Sequence, residues 1–443
     1  MMNQIRVQRR LGLVWGIGIA CALWLSACAT RPTPTSESTP VSATPVGLAL
    51  QLRTFEALWS TIDEHYLDPD FNGVDWQAVH ATYRPQVEAG LSAAAFTELM
   101  RAMLADLPDG TATWQTRAER IEQETQDALR YEGIGAFITF RAEPEPRIVL
   151  RSVMANSPAE KAGLSAHDSI LAIDGTPINA AEGLDAVERI RGPAGSDVTL
   201  SIRSPGSSPR DIVVSRAPVT VADELAIGVL GNEDIGYLLF PAATPDTIVQ
   251  TLIGTLQALN EEGQLSGLVI DLRIASTRGD WPLGEMMALF GRGDLGVAYT
   301  RTTTETARVQ GQDLFESQSI PLSIIVGPDT QGGPEVFAGA MQGIGRAQIV
   351  GMPTPGLVEA VNEYPLPDGS RVFIVTSSYR TPAGRDIGQA GVEPDVVIEI
   401  DWDEVTDEVD PVRDAAIEAL KPPAPTQGAR GGKSNARAFT YID

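Results

Sequence analysis

Lysine, histidine and cysteine are nearly missing from this chain of 443 residues. Cys21 and Cys28 are its two cysteines, and both fall within the first 28 residues, which excludes a disulfide scaffold for the remainder. His65, His80 and His167 are too scattered to suggest a zinc site, so no metal or other cofactor is expected. Lys161, Lys421 and Lys433 are the whole lysine complement, and residues 220–420 hold no lysine, histidine or cysteine. That stretch offers no amine or imidazole base and no thiol. Positive charge is also scarce: Lys+Arg 33 stand against Asp+Glu 58, a formal net charge of −25. Such a surface repels phosphate backbones, and a nucleic-acid partner is not expected. What is present in quantity is apolar: 43% hydrophobic and 21% charged residues describe a globular protein with proper cores. The length admits two or three domains of roughly 100–200 residues.

The N-terminus reads as an export signal. Arg6, Arg9 and Arg10 precede the apolar stretch Leu11–Leu25, which runs into Leu25-Ser26-Ala27-Cys28. The apolar stretch is shorter than the roughly 20 residues a spanning helix needs. The tetrapeptide resembles the bacterial lipobox, in which the cysteine is lipidated and becomes the first mature residue. Residues 1–27 are therefore expected to be a lipoprotein signal peptide, with Cys28 the lipidation site. Residues 28–46 are rich in Pro, Ser and Thr and bury too little to order themselves, so they read as a tether. The expected location is the bacterial cell envelope, on the extracytoplasmic face and lipid-anchored to a membrane.

Residues 47–128 carry a helical pattern: Phe55, Leu58, Trp59, Ile62 and Tyr66 fall on one face, and further helices are expected at 75–89 and 93–106. Over 129–219 the period shortens, with strands around Ile148–Leu150, Ser169–Ile173, Val198–Ile202 and Ile212–Val214. Over 220–420 helices alternate with buried strands, Leu268–Leu272 and Leu322–Val326, in α/β layering. Thr244 and Pro245 read as cap and first residue of a helix through Ile248 and Leu252, and Asp410-Pro411 as the same device for the last helix. The acidic run Asp401 to Asp410 lacks an EF-hand register. Residues 421–443 read as a disordered tail.

Gly133-Ile134-Gly135-Ala136, then Ser157–Leu164 (SPAEKAGL), then Asp168–Gly175 (DSILAIDG) resemble the PDZ domain of the C-terminal processing, or tail-specific, serine peptidases. Leu268–Arg273 is similar to that family's central strand, and Tyr379–Arg385 with Gly391–Asp395 to its closing signature. The resemblance spans roughly residues 50–420. It implies a multidomain α/β protein: an N-terminal helical domain, a PDZ-like β-rich domain and a crotonase-like spiral α/β core. It also implies a peptide or exported protein C-terminus as partner. Gly133, Ile134, Gly135, Ala136 and Phe137 are the candidate peptide-binding residues. A Gly-rich turn ahead of a strand aims backbone N–H groups into one concavity that suits a carboxylate, and the peptide would add beside Phe137–Phe140. A plain tight turn is the alternative.

The family's chemistry is where the sequence departs. There a serine attacks and a lysine, held near neutral by burial, takes its proton. The serine is the middle one of an S-A-S-A-S-E pattern, and Glu335 matches the glutamate, which places Thr330, Gly332 and Pro334 at the three serine positions. The nucleophile position is then Gly332. The stretch Arg346–Thr354 leads to Leu357 at the lysine position and Val361 at a glutamine position. Gly279 falls in the oxyanion-loop region, where Ile274–Asp280 lacks the family's asparagine-proline-glycine-glycine. Gly279, Thr330, Gly332, Gly333 and Leu357 thus outline a vacant cleft, whose Gly332 and Gly333 amides form either an anion nest or an ordinary turn. No catalytic residue is assigned. Thr330, Ser323 and Ser276 are the hydroxyls left near it. The expectation is a catalytically inactive peptide-binding homologue, with an active peptidase using displaced residues as the alternative and a structural partner of an active paralogue as the third.

Overall fold

The computed structural model describes residues 47–421 except 109–110, 122–131, 220–225, 231–233, 246, 263–264, 277–280 and 389. Cys28, the tether, Gly279 and the tail beyond residue 421 lie outside the described residues.

Helices span Leu48–His65, Trp76–Glu88 and Ala93–Leu104. The apolar stripe of the first is fully buried at Phe55, Leu58 and Ile62. Asp75 and Ser92 cap the other two by accepting from the N–H groups of Ala78 and Ala95. This segment does not close on itself. A strand, Ala112–Gln115, pairs antiparallel with Arg371–Ile374 far along the chain, and Trp114 Nε1 donates to Ser370 Oγ at 2.9 Å. Leu366, Val372 and Ile374 complete the helical core.

The second region is an antiparallel sheet in the order Ala136–Arg141, Arg147–Val153, Ser169–Ile173, Asp197–Arg203, Arg210–Ser215. Alternation shows in Val198, Leu200 and Ile202, all buried. A 3₁₀ turn over Gly183–Arg189 precedes Gly192-Pro193. Strand Ala136–Arg141 is an edge of this sheet.

The third region is built on a sheet ordered Ala226–Leu230, Ile235–Leu239, Gly267–Asp271, Leu322–Val326, Gln348–Gly351, Val396–Val397, parallel from the second strand on. Leu268, Ile270 and Ile324 pack with Leu252, Leu256, Met286 and Phe337 of the helices. Val269 and Ile325 face the other way, toward Val412 and Ala416 of helix Pro411–Ala419. Burial on both faces explains why these strands are nearly continuous apolar runs, each apolar side chain contributing about 1.5–3 kcal/mol. Asp410 caps the last helix as expected, accepting from the N–H groups of Val412 and Arg413. The Thr244-Pro245 start does not hold. The helix begins at Ile248, whose N–H reaches Pro245 O at 3.0 Å, so Pro245 lies ahead of the helix, and Thr244 Oγ1 makes no capping bond.

Strands Gly293–Thr300, Thr304–Val309, Ala360–Pro365 and Arg371–Arg380, with Ala112–Gln115, form a further sheet that the sequence pattern does not announce.

Candidate functional site

Strand Leu322–Val326 leaves the sheet through Gly327–Gln331 and enters helix Gly333–Gly343. Gly332, at the entry, has φ 69° and ψ −130°, backbone that an L side chain rarely adopts. Its N–H donates to the Leu357 carbonyl at 3.0 Å. The two positions that the resemblance gives to nucleophile and base are therefore brought together, one with no side chain and the other with an isobutyl group. The Gly332 amide, spent on Leu357, is not free to join Gly333 in an anion nest.

Glu335 explains why Leu357 sits there. Fully buried at the first turn of the helix, its Oε1 accepts from Thr354 Oγ1 and, at 2.7 Å, from Gly356 N–H. Thr354 Oγ1 also accepts from Val392 N–H at 2.7 Å. The loop 354–357 is thus pinned from beneath. Burial pushes the Glu335 carboxyl up to about 7, against the hydrogen bonds from Thr354, Gly356 and Leu357 that favour its ionised form. The sign of the consequence is fixed. The folded chain keeps a proton that the unfolded chain releases near 4.5, so the stabilisation is full below that pH and is lost as pH rises through about 7. Urea unfolding at pH 5 and pH 8 is expected to show the wild type losing about 2 kcal/mol more than Glu335→Gln across that interval. Parallel profiles would refute this.

The hydroxyls separate. Thr330, expected in the cleft, faces inward: fully buried, its Oγ1 donates to Leu272 O and accepts from Gly327 N–H, both at 2.9 Å. A tight turn needs that bond more than the cleft needs a hydroxyl. Ser323 Oγ donates to Ala416 O at 2.8 Å on the far face of the sheet. Ser276 stays beside the cleft, bridged to Gln331, and its Oγ accepts from Arg151 Nη1 at 2.8 Å.

Histidine and lysine from the second region do not supply the base. His167 is buried under Trp402, ring centroids 4.1 Å apart, with Nδ1 at 2.8 Å from Trp402 O. Lys161 is exposed on the short helix Pro158–Lys161.

Among the candidate peptide-binding residues, Ile134 is a core side chain of its sheet. Its carbonyl accepts from Ala159 N–H at 2.8 Å, and that of Gly135 from Met154 N–H at 3.0 Å. Gly135 (φ 79°) lies so close to Ser157 that a Cβ would come within 2.5 Å of Ser157 Cβ. Gly133 pairs with Ala217. Ala136 and Phe137, half-buried, open the edge strand.

One group the sequence does not reveal joins that strand to the cleft. Arg141, at its end, donates Nε to Asp401 Oδ2 at 2.6 Å and Nη2 to Asp329 Oδ2 at 2.7 Å, and Thr139 Oγ1 donates to Asp329 Oδ1 at 2.7 Å. Arg147 makes a parallel pair with Asp403, Nε to Oδ2 at 2.6 Å. Partners this distant in sequence leave no local signal.

Family models match the chain in three places: Tricorn protease C1 domain over residues 53–105, PDZ domain over 125–203, and peptidase family S41 over 234–398. The chain is 30% identical over 376 residues to the carboxyl-terminal-processing protease of Synechocystis sp., covering 82% of this chain and 85% of that one. Against the chloroplastic C-terminal processing peptidase of Tetradesmus obliquus it is 29% identical over 367 residues, 79% and 77% of the two. Among solved structures, the photosystem II D1 C-terminal processing protease superposes with a TM-score of 0.60 at 25% identity, over 84% of this chain and 96% of that one.

Proposed function

The chain belongs to the C-terminal processing peptidases of family S41, and we propose that it binds polypeptide C-termini without cutting them. One observation carries this reading: the backbone sets Gly332 and Leu357 side by side, and neither side chain can attack a carbonyl or take a proton. Nothing between residues 220 and 420 replaces the missing amine, imidazole or thiol. Arginine stays protonated at neutral pH and is no base. Ser276 is the observation that favours the second reading, an active peptidase with displaced residues. Its hydrogen-bonded partner, Arg151, does not accept the hydroxyl proton.

Restoring the family pair is expected to cost stability before it returns any activity. Serine at Gly332 must hold a positive φ, which costs about 1–3 kcal/mol. Leu357 is 53% exposed, so a lysine there keeps its amine near ~10.4 for want of burial. Urea unfolding of Gly332→Ser/Leu357→Lys is expected to show that loss relative to Leu357→Lys alone; equal midpoints would show that the backbone at 332 is not restrictive.

We infer that the peptide adds at the edge strand Ala136–Arg141, with its C-terminal carboxylate at the Gly133–Ala136 turn. Calorimetry with a peptide bearing a free C-terminus and with its amide is the test. The free acid is expected to bind at least about tenfold tighter and to be recovered uncut. Equal affinities would remove the carboxylate from the account. The signal-like residues 1–27 and Leu25–Cys28 support a lipid anchor on an envelope membrane. Cys28→Ala is expected to move the chain from the membrane fraction to the soluble one, and its staying put would contradict the anchor.

A further inference from the structure

A cavity of about 600 Å³ lies between the N-terminal helical segment and the sheet that contains Arg371–Arg380, and neither Gly332 nor Leu357 lines it. Its size falls within the ~300–1,000 Å³ of small-ligand sites. The carboxylates on its walls, with one exception, accept hydrogen bonds within the chain. Arg380 lies over the Tyr299 ring at 4.0 Å and pairs with Asp386 at 3.3 Å. Arg301 lies over Phe71 at 4.8 Å and donates to Pro69 O at 3.2 Å, while its buried Nη1 has no hydrogen-bond partner among the described residues. Asp386 also accepts from Tyr299 OH at 2.6 Å and from Gly388 N–H at 3.1 Å. Asp68 accepts from Asp70 N–H at 3.0 Å.

Glu359 is the exception. It is half-buried, and among the described residues its carboxylate has no hydrogen-bond or ion-pair partner. Burial, with the charge of Asp386, raises its carboxyl above the ordinary range. A half-buried carboxylate without a counter-charge is partly desolvated at a cost, and a cation entering beside it relieves that cost. Leu67 and Val375 on the walls offer apolar contact for a methylene stem. Position says how such a cation arrives. Glu359 stands two residues past Leu357 and immediately before strand Ala360–Pro365, which pairs only with Arg371–Arg380 among the described strands. Glu359 thus links the loop that carries Leu357 to an edge strand along which a polypeptide can add.

We propose that this cavity receives a lysine or arginine side chain of a bound polypeptide, whose charged end pairs with the Glu359 carboxylate. The polypeptide part rests on the peptide-binding reading above; the cation site does not. Calorimetry on the full chain separates the two. Butylguanidinium is expected to bind at least about tenfold tighter than its neutral isostere butylurea, and Glu359→Gln to abolish the difference while Glu359→Asp keeps part of it. An alanine-rich peptide with a central arginine is expected to show a similar preference over the same peptide with citrulline. Equal binding of the two butyl compounds, or a preference that survives in Glu359→Gln, would overturn the site. A butylguanidinium preference with no gain for the arginine peptide would overturn the polypeptide and leave a free organic cation as the occupant.

Discussion

Replacing Arg273 by alanine is expected to cost the core about 3–5 kcal/mol, read as a fall in the urea midpoint of its unfolding transition. The guanidinium sits at the end of strand Gly267–Asp271, between two buried carboxylates. Nη2 donates to Asp271 Oδ2 at 2.6 Å and to Asp410 Oδ2 at 2.5 Å, and Nη1 to Asp410 Oδ1 at 3.2 Å. The plane lies 5.0 Å from the Trp402 ring. Tyr237 OH adds a bond to Asp271 Oδ2 at 2.7 Å. Burial alone would raise the Asp410 carboxyl; the charge and hydrogen bonds of Arg273 hold it below the ordinary range instead. Alanine strands both acids out of water, and the stranded charges rather than the lost bonds set the size of the effect. Neutralising all three, as Asp271→Asn/Arg273→Met/Asp410→Asn, is therefore expected to cost less than Arg273→Ala alone. A triple variant weaker than the single one would show that the pairing itself carries the stability.

The second large effect is expected at Arg141. Asp329 is 4% exposed and its pairing with Arg141 lies in the loop that leads to Gly332. Burial opposes the Arg141 charge, but the hydrogen bonds and charges of Asp401 and Asp329 more than offset it, so the guanidinium is held ionised above its ordinary value. Arg141→Ala leaves Asp329 without its cation, a loss of about 2–5 kcal/mol concentrated where the edge strand meets the core. Hydrogen exchange is expected to rise in Ala136–Arg141 and in 327–332 together, with the helical segment Leu48–His65 unchanged. Faster exchange in the edge strand alone would mean that Arg141 does not tie the two regions.

The readable parts of the chain are those whose burial is local. Phe55, Leu58 and Ile62 repeat at helical spacing because one face of Leu48–His65 is buried, and Asp410 marks a start because capping needs an oxygen one turn away. Leu268–Leu272 and Leu322–Val326 are apolar apart from Asp271 and Ser323 because both faces are covered. In the sheet containing Gly293–Thr300 and Thr304–Val309 those two strands give no such signal, since Thr304–Val309 (TETARV) buries no residue fully and Gly293–Thr300 buries only Leu295 and Gly296. Strand Ala112–Gln115 finds its partner more than 250 residues away, as Trp114 and Ser370 show (256 apart). The same distance hides the tie from Arg141 to Asp401, 260 residues on. At the cleft, residue identities speak plainly at Gly332 and Leu357, but orientation does not. Thr330 looks like a free hydroxyl in a Gly/Pro loop and is in fact the bond that closes the turn. Glu335 reads as a pattern match, and only its full burial makes it a titrating group near neutrality.

Mass spectrometry of unfolded casein incubated with the full chain, in parallel with a Ser276→Ala variant, bears on the central claim most directly. The account predicts intact casein in both, with no acyl adduct on any side chain of the protein, because Gly332 and Leu357 supply neither nucleophile nor base, the Glu335 carboxylate is engaged by Thr354 and Gly356, and Ser276 is paired with a guanidinium. Casein fragments that appear with the wild type and vanish with Ser276→Ala, or an acyl group found on Ser276, would contradict it.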